Sequence, residues 1–239
     1  MPESQAHGKK WEESISTGPF RVSKEHYKLI KHTARYDLPG ELNHLDNGVN
    51  IQIKTTGRDT VDLGDALRMF DNVKEGQPKL HMVVLKHKQK DPTTKKLESV
   101  TEADLTNSGK LLFNGVTREQ VENLDKTAKA VGKVRPDVSP EQRRYQIDTA
   151  YAMRDELHKI SGCFRFHLMF YTNKPSRVQG QLDFKQFKRE HPERIIAESQ
   201  TGEFRGGTIT EEIVSPPRKR NKKVVSIENV PSTTPSESD

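Results

Sequence analysis

The sequence predicts an α/β protein, a mixed β-sheet flanked by helices and followed by an unstructured tail. Three observations carry that expectation. Two segments alternate with period two: Val49, Ile51 and Ile53 against Asn50, Gln52 and Lys54, then Phe164, Phe166, Leu168 and Phe170 against Arg165, His167 and Met169. Between them lie stretches with apolar residues at helical spacing behind recognisable N-caps. From about Ser215 the text turns basic and then rich in Pro, Ser and Thr, a composition that cannot bury enough apolar surface to fold. One domain over residues 1–214 and a tail over 215–239 follow.

The chain has 239 residues, which suits a single domain of ordinary size. Apolar content is 31%, so a small core with long polar loops is expected. Net charge is +6 and the pI is near 9.2, a balance that suits a polyanionic partner. Cys163 is the single cysteine, so no intrachain disulfide forms and a reducing interior is the default. No apolar run has transmembrane length, and the N-terminus lacks the apolar core of a secretory signal. The expectation is a soluble intracellular protein with no membrane association.

Residues 7–15 read as the first helix, with Trp11 and Ile15 one turn apart on a buried face. The text from Phe20 to Asp37 is basic, with Lys28, Lys31, His32 and Arg35 among its cations and a short helix anchored by Tyr27, Leu29 and Ile30. Residues 59–73 read as a helix capped by Asp59 or Thr60, with Leu63, Ala66, Leu67, Phe70 and Val73 as its stripe. Leu80–Lys86 reads as a buried strand, on or beside which His81 and His87 are structural. Residues 88–115 carry no clear periodicity. Thr117 and Gln120 form a capping box before a helix bearing Val121, Leu124, Ala128 and Val131. A linker with Pro136 follows. Ser139, Pro140 and Gln142 then start a helix whose stripe is Ile147, Ala150, Met153, Leu157 and Ile160. The Phe164–Phe170 strand is expected to join the central sheet beside Leu80–Lys86. Residues 183–191 read as a short basic helix with Phe184 and Phe187 on one face and Lys185, Lys188 and Arg189 on the other.

Chemistry concentrates in Pro39–Thr56. Asp46-Asn47-Gly48 has the residues of a tight turn, so the stretch reads as a β-hairpin. Alternation puts Gln52 and Lys54 on the face opposite Ile51 and Ile53, and the hairpin brings Glu41 on the incoming strand close to Gln52. An acid, an amide oxygen and an ammonium on one sheet edge can hold a divalent cation and activate a water beside a phosphate.

An acid followed by Glu/Asp-x-Lys on a hairpin strand is the core of the PD-(D/E)XK, or restriction-endonuclease-like, nucleases, and these residues resemble it. Here the second part reads Gln52-Ile53-Lys54, and Glu41 of Pro39-Gly40-Glu41 stands where the family has Asp. Gly8, Trp11 and Glu12 resemble the family's first helix, whose Glu reaches the metal cluster. The resemblance covers roughly residues 7–87. It implies a restriction-endonuclease-like mixed sheet and a DNA endonuclease dependent on Mg²⁺ or Mn²⁺. Glu41, Gln52 and Glu12 would hold the metal, Lys54 would act on the attacking water, and a homodimer would cut both strands.

Outside that motif, Arg58 and the cluster Arg218, Lys219, Arg220, Lys222 and Lys223 are the expected nucleic-acid contacts. The cluster resembles a nuclear localisation signal and serves equally as an electrostatic DNA-binding arm. Two other functions stay open. One is a catalytically inactive DNA-binding protein that keeps the nuclease fold, favoured by the neutral Gln52. The other is a viral or nuclear structural protein that binds through its tail. Hydrolase elbows, Gly-rich phosphate loops, His-Glu-x-x-His and Cys-x-x-Cys pairs are absent from the sequence, which removes those chemistries.

Overall fold

The computed structural model describes residues 3–30, 35–131, 138–171 and 176–214. The tail cations from Arg218 to Lys223, together with Lys31, His32 and the Pro136 linker, lie outside the described residues. In chain order the elements are helices α1 (Glu3–Thr17) and α2 (Lys24–Leu29), then strands β1 (Asn50–Thr56) and β2 (Thr60–Asp65). Helix α3 (Ala66–Val73), strands β3 (Leu80–Gln89) and β4 (Thr94–Asp104) and helices α4 (Gly109–Phe113), α5 (Arg118–Val131) and α6 (Pro140–Ile160) follow. The last part holds β5 (Phe164–Met169), β6 (Arg177–Asp183), α7 (Phe184–Glu190), β7 (Ile195–Ser199), β8 (Glu203–Phe204), β9 (Gly207–Thr208) and β10 (Glu212–Val214). No helix among the described residues is long and apolar enough to cross a membrane.

The central sheet is mixed. β1 runs parallel to β3, from Asn50 opposite Leu80 to Thr56 opposite Lys86. β3 pairs antiparallel with β4, whose outer edge is shared by β7 and β10. β3 is apolar at consecutive positions because the sheet has a core on each side. Ile51, Ile53, Val83, Leu85 and Val100 face a smaller core closed by Trp11 and Ile15 of α1. Met82, Val84 and Ala103 face the larger core, shared with α3 to α7 and a second sheet of order β2-β6-β5. The fold is therefore α/β with a mixed sheet between layers, as expected.

Several expectations change. Residues 59–73 do not form one helix. Val61 and Leu63 are buried while Asp62 is exposed, which is strand periodicity. Gly64 takes φ +84° at a bulge, and Asp65 then caps α3 by accepting from the Arg68 amide at 2.9 Å. β5 does not join the central sheet. It pairs with β6 in the second sheet, because its phenylalanines pack on Phe113 rather than along β3. The unassigned stretch after Lys88 holds β4 and α4. Both capping boxes form, at Thr117–Gln120 and Ser139–Gln142. On α6 only Ala150 and Leu157 of the expected stripe are buried, and Ile160 is exposed. The apolar spacing there covers one flank of the layer and not a full helix face.

The second sheet depends on close approach at Gly180. A Cβ there would lie 2.4 Å from the Phe164 ring, which is fully buried and tilted 36° against Phe113 with ring centroids 4.2 Å apart. Gly180→Ala should destabilise by about 1–3 kcal/mol through overpacking. The melting temperature should fall by roughly 2–4 °C for each kcal/mol in a chain of this size. An unchanged thermal melt would mean that the ring yields freely.

Candidate functional site

The incoming strand expected before Gly48 does not exist as a strand. Pro39 and Gly40 open a 3-10 turn over Gly40–Leu42, and the ladder to β1 is one isolated bridge, Leu38 to Ile51. That register places Asp37, not Glu41, beside Gln52. The Asp37 Oδ2 accepts from the Ile53 amide at 2.7 Å and lies 3.4 Å from the Lys54 Nζ. Glu41 sits exposed on the 3-10 turn, four residues further along the chain, and it is Asp37 that stands beside Ile53 and Lys54.

The rest of the motif is arranged as the alternation requires. Ile51 and Ile53 are buried, while Gln52 and Lys54 take the other face. The Gln52 side-chain amide donates to the Arg35 carbonyl at 2.9 Å. Arg35 in turn donates to the Asn72 side chain on α3 at 2.8 Å, which fastens residues 35–38 along the outer edge of β1. Lys54 and Asp37 keep 23% and 27% of their side-chain surface, so the pair is partly open to solvent.

Glu12 approaches from α1. Tyr27 of α2 donates its hydroxyl to the Glu12 Oε1 at 3.3 Å. Burial first, and the Asp37 carboxylate second, push the Glu12 carboxyl up to about 7; Tyr27 and Lys54 pull the other way. Burial and the neighbouring Glu12 raise the Tyr27 hydroxyl, so it stays a donor. Asp37 and Lys54 thus meet at the edge of β1, near enough to Glu12 for their charges to act on it, and Gln52 stands on the Lys54 face of the strand. Oxygen donors of this kind suit a hard divalent cation such as Mg²⁺. The raised Glu12 is the signature of carboxylates that repel each other in a partly buried place.

Two other clusters of possible ligands occur among the described residues, Asp46/His81/Glu102 and Cys163/Glu190/His191. In the first, Arg205 already supplies the cation. It donates to Asp46 at 2.6 Å and to the fully buried Glu102 at 2.9 Å, while His81 lies 2.7 Å from the other Glu102 oxygen. In the second, burial and Glu190 raise the Cys163 thiol to about 11 and keep it a thiol.

Sequence reasoning missed Asp37. The signal for it was the Pro39-Gly40 pair, which cannot continue a paired strand and so ends the incoming segment at Leu38. Arg58, expected to contact nucleic acid, lies at a cleft beyond the end of β1.

The Glu12 shift has a measurable consequence. The folded chain keeps this proton to about pH 7, whereas an unfolded carboxyl releases it near 4.5. Its contribution to stability is therefore full below about pH 4.5 and is lost as pH rises towards 7. Glu12→Gln, melted in EDTA, should gain stability relative to wild type at pH 8 and show a flatter profile between pH 5 and 7. Parallel profiles would put the Glu12 carboxyl in water.

No family model, no curated protein and no solved structure matches this chain, so its function is argued from the geometry of Glu12, Asp37, Gln52 and Lys54.

Proposed function

We propose that the chain is a metal-dependent DNA endonuclease of the restriction-endonuclease-like kind. The observation that carries the reading is the meeting of Glu12, Asp37 and Lys54 at the edge of β1, with the Lys54 Nζ 3.4 Å from the Asp37 carboxylate. Further support comes from the order α1, β1, crossover, β3, with Asp37 beside Lys54 and both acting on Glu12 of α1. The basic balance of the chain agrees with a polyanionic substrate.

Glu12, Asp37 and the Gln52 carbonyl oxygen would hold Mg²⁺ or Mn²⁺. Such an ion neutralises charge on the scissile phosphate and makes water a stronger nucleophile. The protein's own groups do the remainder. Asp37 is fixed by the Ile53 amide, so its free oxygen keeps one direction. Tyr27 holds Glu12 at the same place. Lys54 faces the accessible side, where its ammonium orients the attacking water and offsets negative charge as the P–O bond to the leaving oxygen breaks. Glu12 would have to give up its proton to serve as a ligand, so ion affinity would rise with pH around neutrality. Cutting both strands of a duplex would take two copies of the chain.

Gln52 favours a second reading, a DNA-binding protein that has kept this arrangement without the chemistry. Gln offers one neutral oxygen where the nuclease motif has a carboxylate. Plasmid nicking in Mg²⁺ against EDTA separates the two.

Lys54→Ala and Asp37→Asn should each lower the nicking rate by roughly 100-fold or more, the scale of removing a charge-stabilising group. DNA affinity, measured in EDTA on the same proteins, should fall far less, since it is spread over many phosphate contacts. A Lys54→Ala protein that nicks at near wild-type rate would sink the assignment.

A further inference from the structure

Beyond the end of β1 the face carrying Gln52 and Lys54 continues into a second feature. The chain leaves the central sheet at Thr56, turns through Gly57, Arg58 and Asp59, and enters the second sheet as β2. Helix α7 starts against that turn, its Phe184 and Lys185 amides donating to the Asp59 carbonyl at 3.0 and 3.3 Å. Between α7, the end of β1 and the middle of β3 and β4 lies a cleft of about 580 Å³. Arg58, Lys86, Lys185, Lys188 and Arg189 line it, with Asp59 as the one carboxylate among its lining residues.

From this we infer that the cleft holds the sugar–phosphate backbone of one DNA strand immediately beside the scissile bond. The inference rests on the nuclease reading and names where its substrate lies. Position is the first argument. Val84 lines the cleft and is the register neighbour of Lys54, while Thr56, also in the lining, is the next residue on the Lys54 face. Same-face neighbours on a strand are about 6.6 Å apart and adjacent strands about 4.8 Å apart. Lys86, paired with Thr56, is thus about 8 Å from Lys54, two to three phosphates at one charge per about 3.4 Å along each DNA strand.

Charge is the second argument. Lys185, Lys188 and Arg189 fall three and four residues apart on α7 and line the cleft together with Phe184, while Phe187 is buried in the core. Three of the five cations have carboxylate partners: Lys86 with Asp59 at 2.8 Å, Lys188 with Glu198, and Arg189 with Glu190 at 2.8 Å. These pairs are open to water, where an ion pair contributes little and phosphate oxygens can replace the carboxylate. Ser99 and Thr101 add hydroxyls to the lining. A polar lining with two apolar residues, Val84 and Phe184, fits a charged backbone better than an apolar ligand.

The test is fluorescence anisotropy of a labelled 20-base-pair duplex with the full chain in EDTA, across a salt series. Lys185→Ala/Lys188→Ala should weaken binding by about tenfold and lower the magnitude of the salt slope by about two. Lys185→Arg/Lys188→Arg should keep both. Arg58→Ala, in the β1–β2 turn, should lower the slope by about one. Unchanged affinity and slope in the double alanine variant, with a wild-type melt, would overturn the inference. So would displacement of the duplex by a mononucleotide at equal phosphate concentration, which would mark a nucleotide pocket instead. If wild type fails to nick plasmid while the double variant loses affinity, the nuclease reading falls and the backbone cleft stands. If wild type nicks and the double variant binds normally, the cleft falls alone.

Discussion

The period-two division of β1 between two surroundings is the constraint on which the rest of the molecule depends. Ile51 and Ile53 are committed to the core beneath α1, where they meet Val83, Leu85, Trp11 and Ile15. Gln52 and Lys54 must then take the other face, beside Met82 and Val84. A slip of one residue would bury an ammonium among phenylalanines and put two isoleucines in water, so the register is strongly specified. Everything functional that is proposed here, from the meeting of Glu12 and Asp37 to the cleft at Thr56, is laid out along that one strand.

The other face of the sheet is held by ions as well as by apolar contact. Glu102 is fully buried on β4, with one oxygen on His81 and the other on Arg205. Arg205 takes φ +49° in the turn between β8 and β9 and reaches Asp46 as well. A buried carboxylate with both oxygens satisfied is tolerable; the same carboxylate without Arg205 would not be. The last part of the described chain is therefore tied to the turn that precedes β1, and the cap on the smaller core is electrostatic at its rim.

Local signals in the sequence were strong where one interaction decided the outcome. Ser139 with Gln142 and Thr117 with Gln120 specify helix starts by two hydrogen bonds each, and both starts stand where those residues place them. The faces of β1 were legible for the same reason. Partners were not. Phe164, Phe166 and Leu168 announce a strand, but only the match to Gly180 and Phe113 puts it in the second sheet. Val61 and Leu63 fit a strand and a helix about equally, and Asp65, which ends the one and begins the other, reads as an exposed helix residue until its bond to the Arg68 amide is seen. In the candidate site, Glu12, Gln52 and Lys54 were legible from motif spacing. Asp37 was not, because a symmetric hairpin about Asn47 points to Glu41, and the turn at Gly40–Leu42 takes up the residues that symmetry would have paired.

β1 is also the border of its sheet, and a border strand presents unpaired amides to any passing chain. The protein closes this one sparingly, with a single backbone bridge at Leu38 and a carboxylate from Asp37 on the Ile53 amide. The acid at the heart of the proposed chemistry is therefore also a guard against self-association. Its two duties are separable by chemistry: an amide in its place still accepts the Ile53 hydrogen bond, whereas a methyl group leaves that amide open to a neighbouring molecule. Selection for solubility and selection for activity would act on the same atom, and a homologue that abandoned catalysis would still have reason to keep a hydrogen-bond acceptor there.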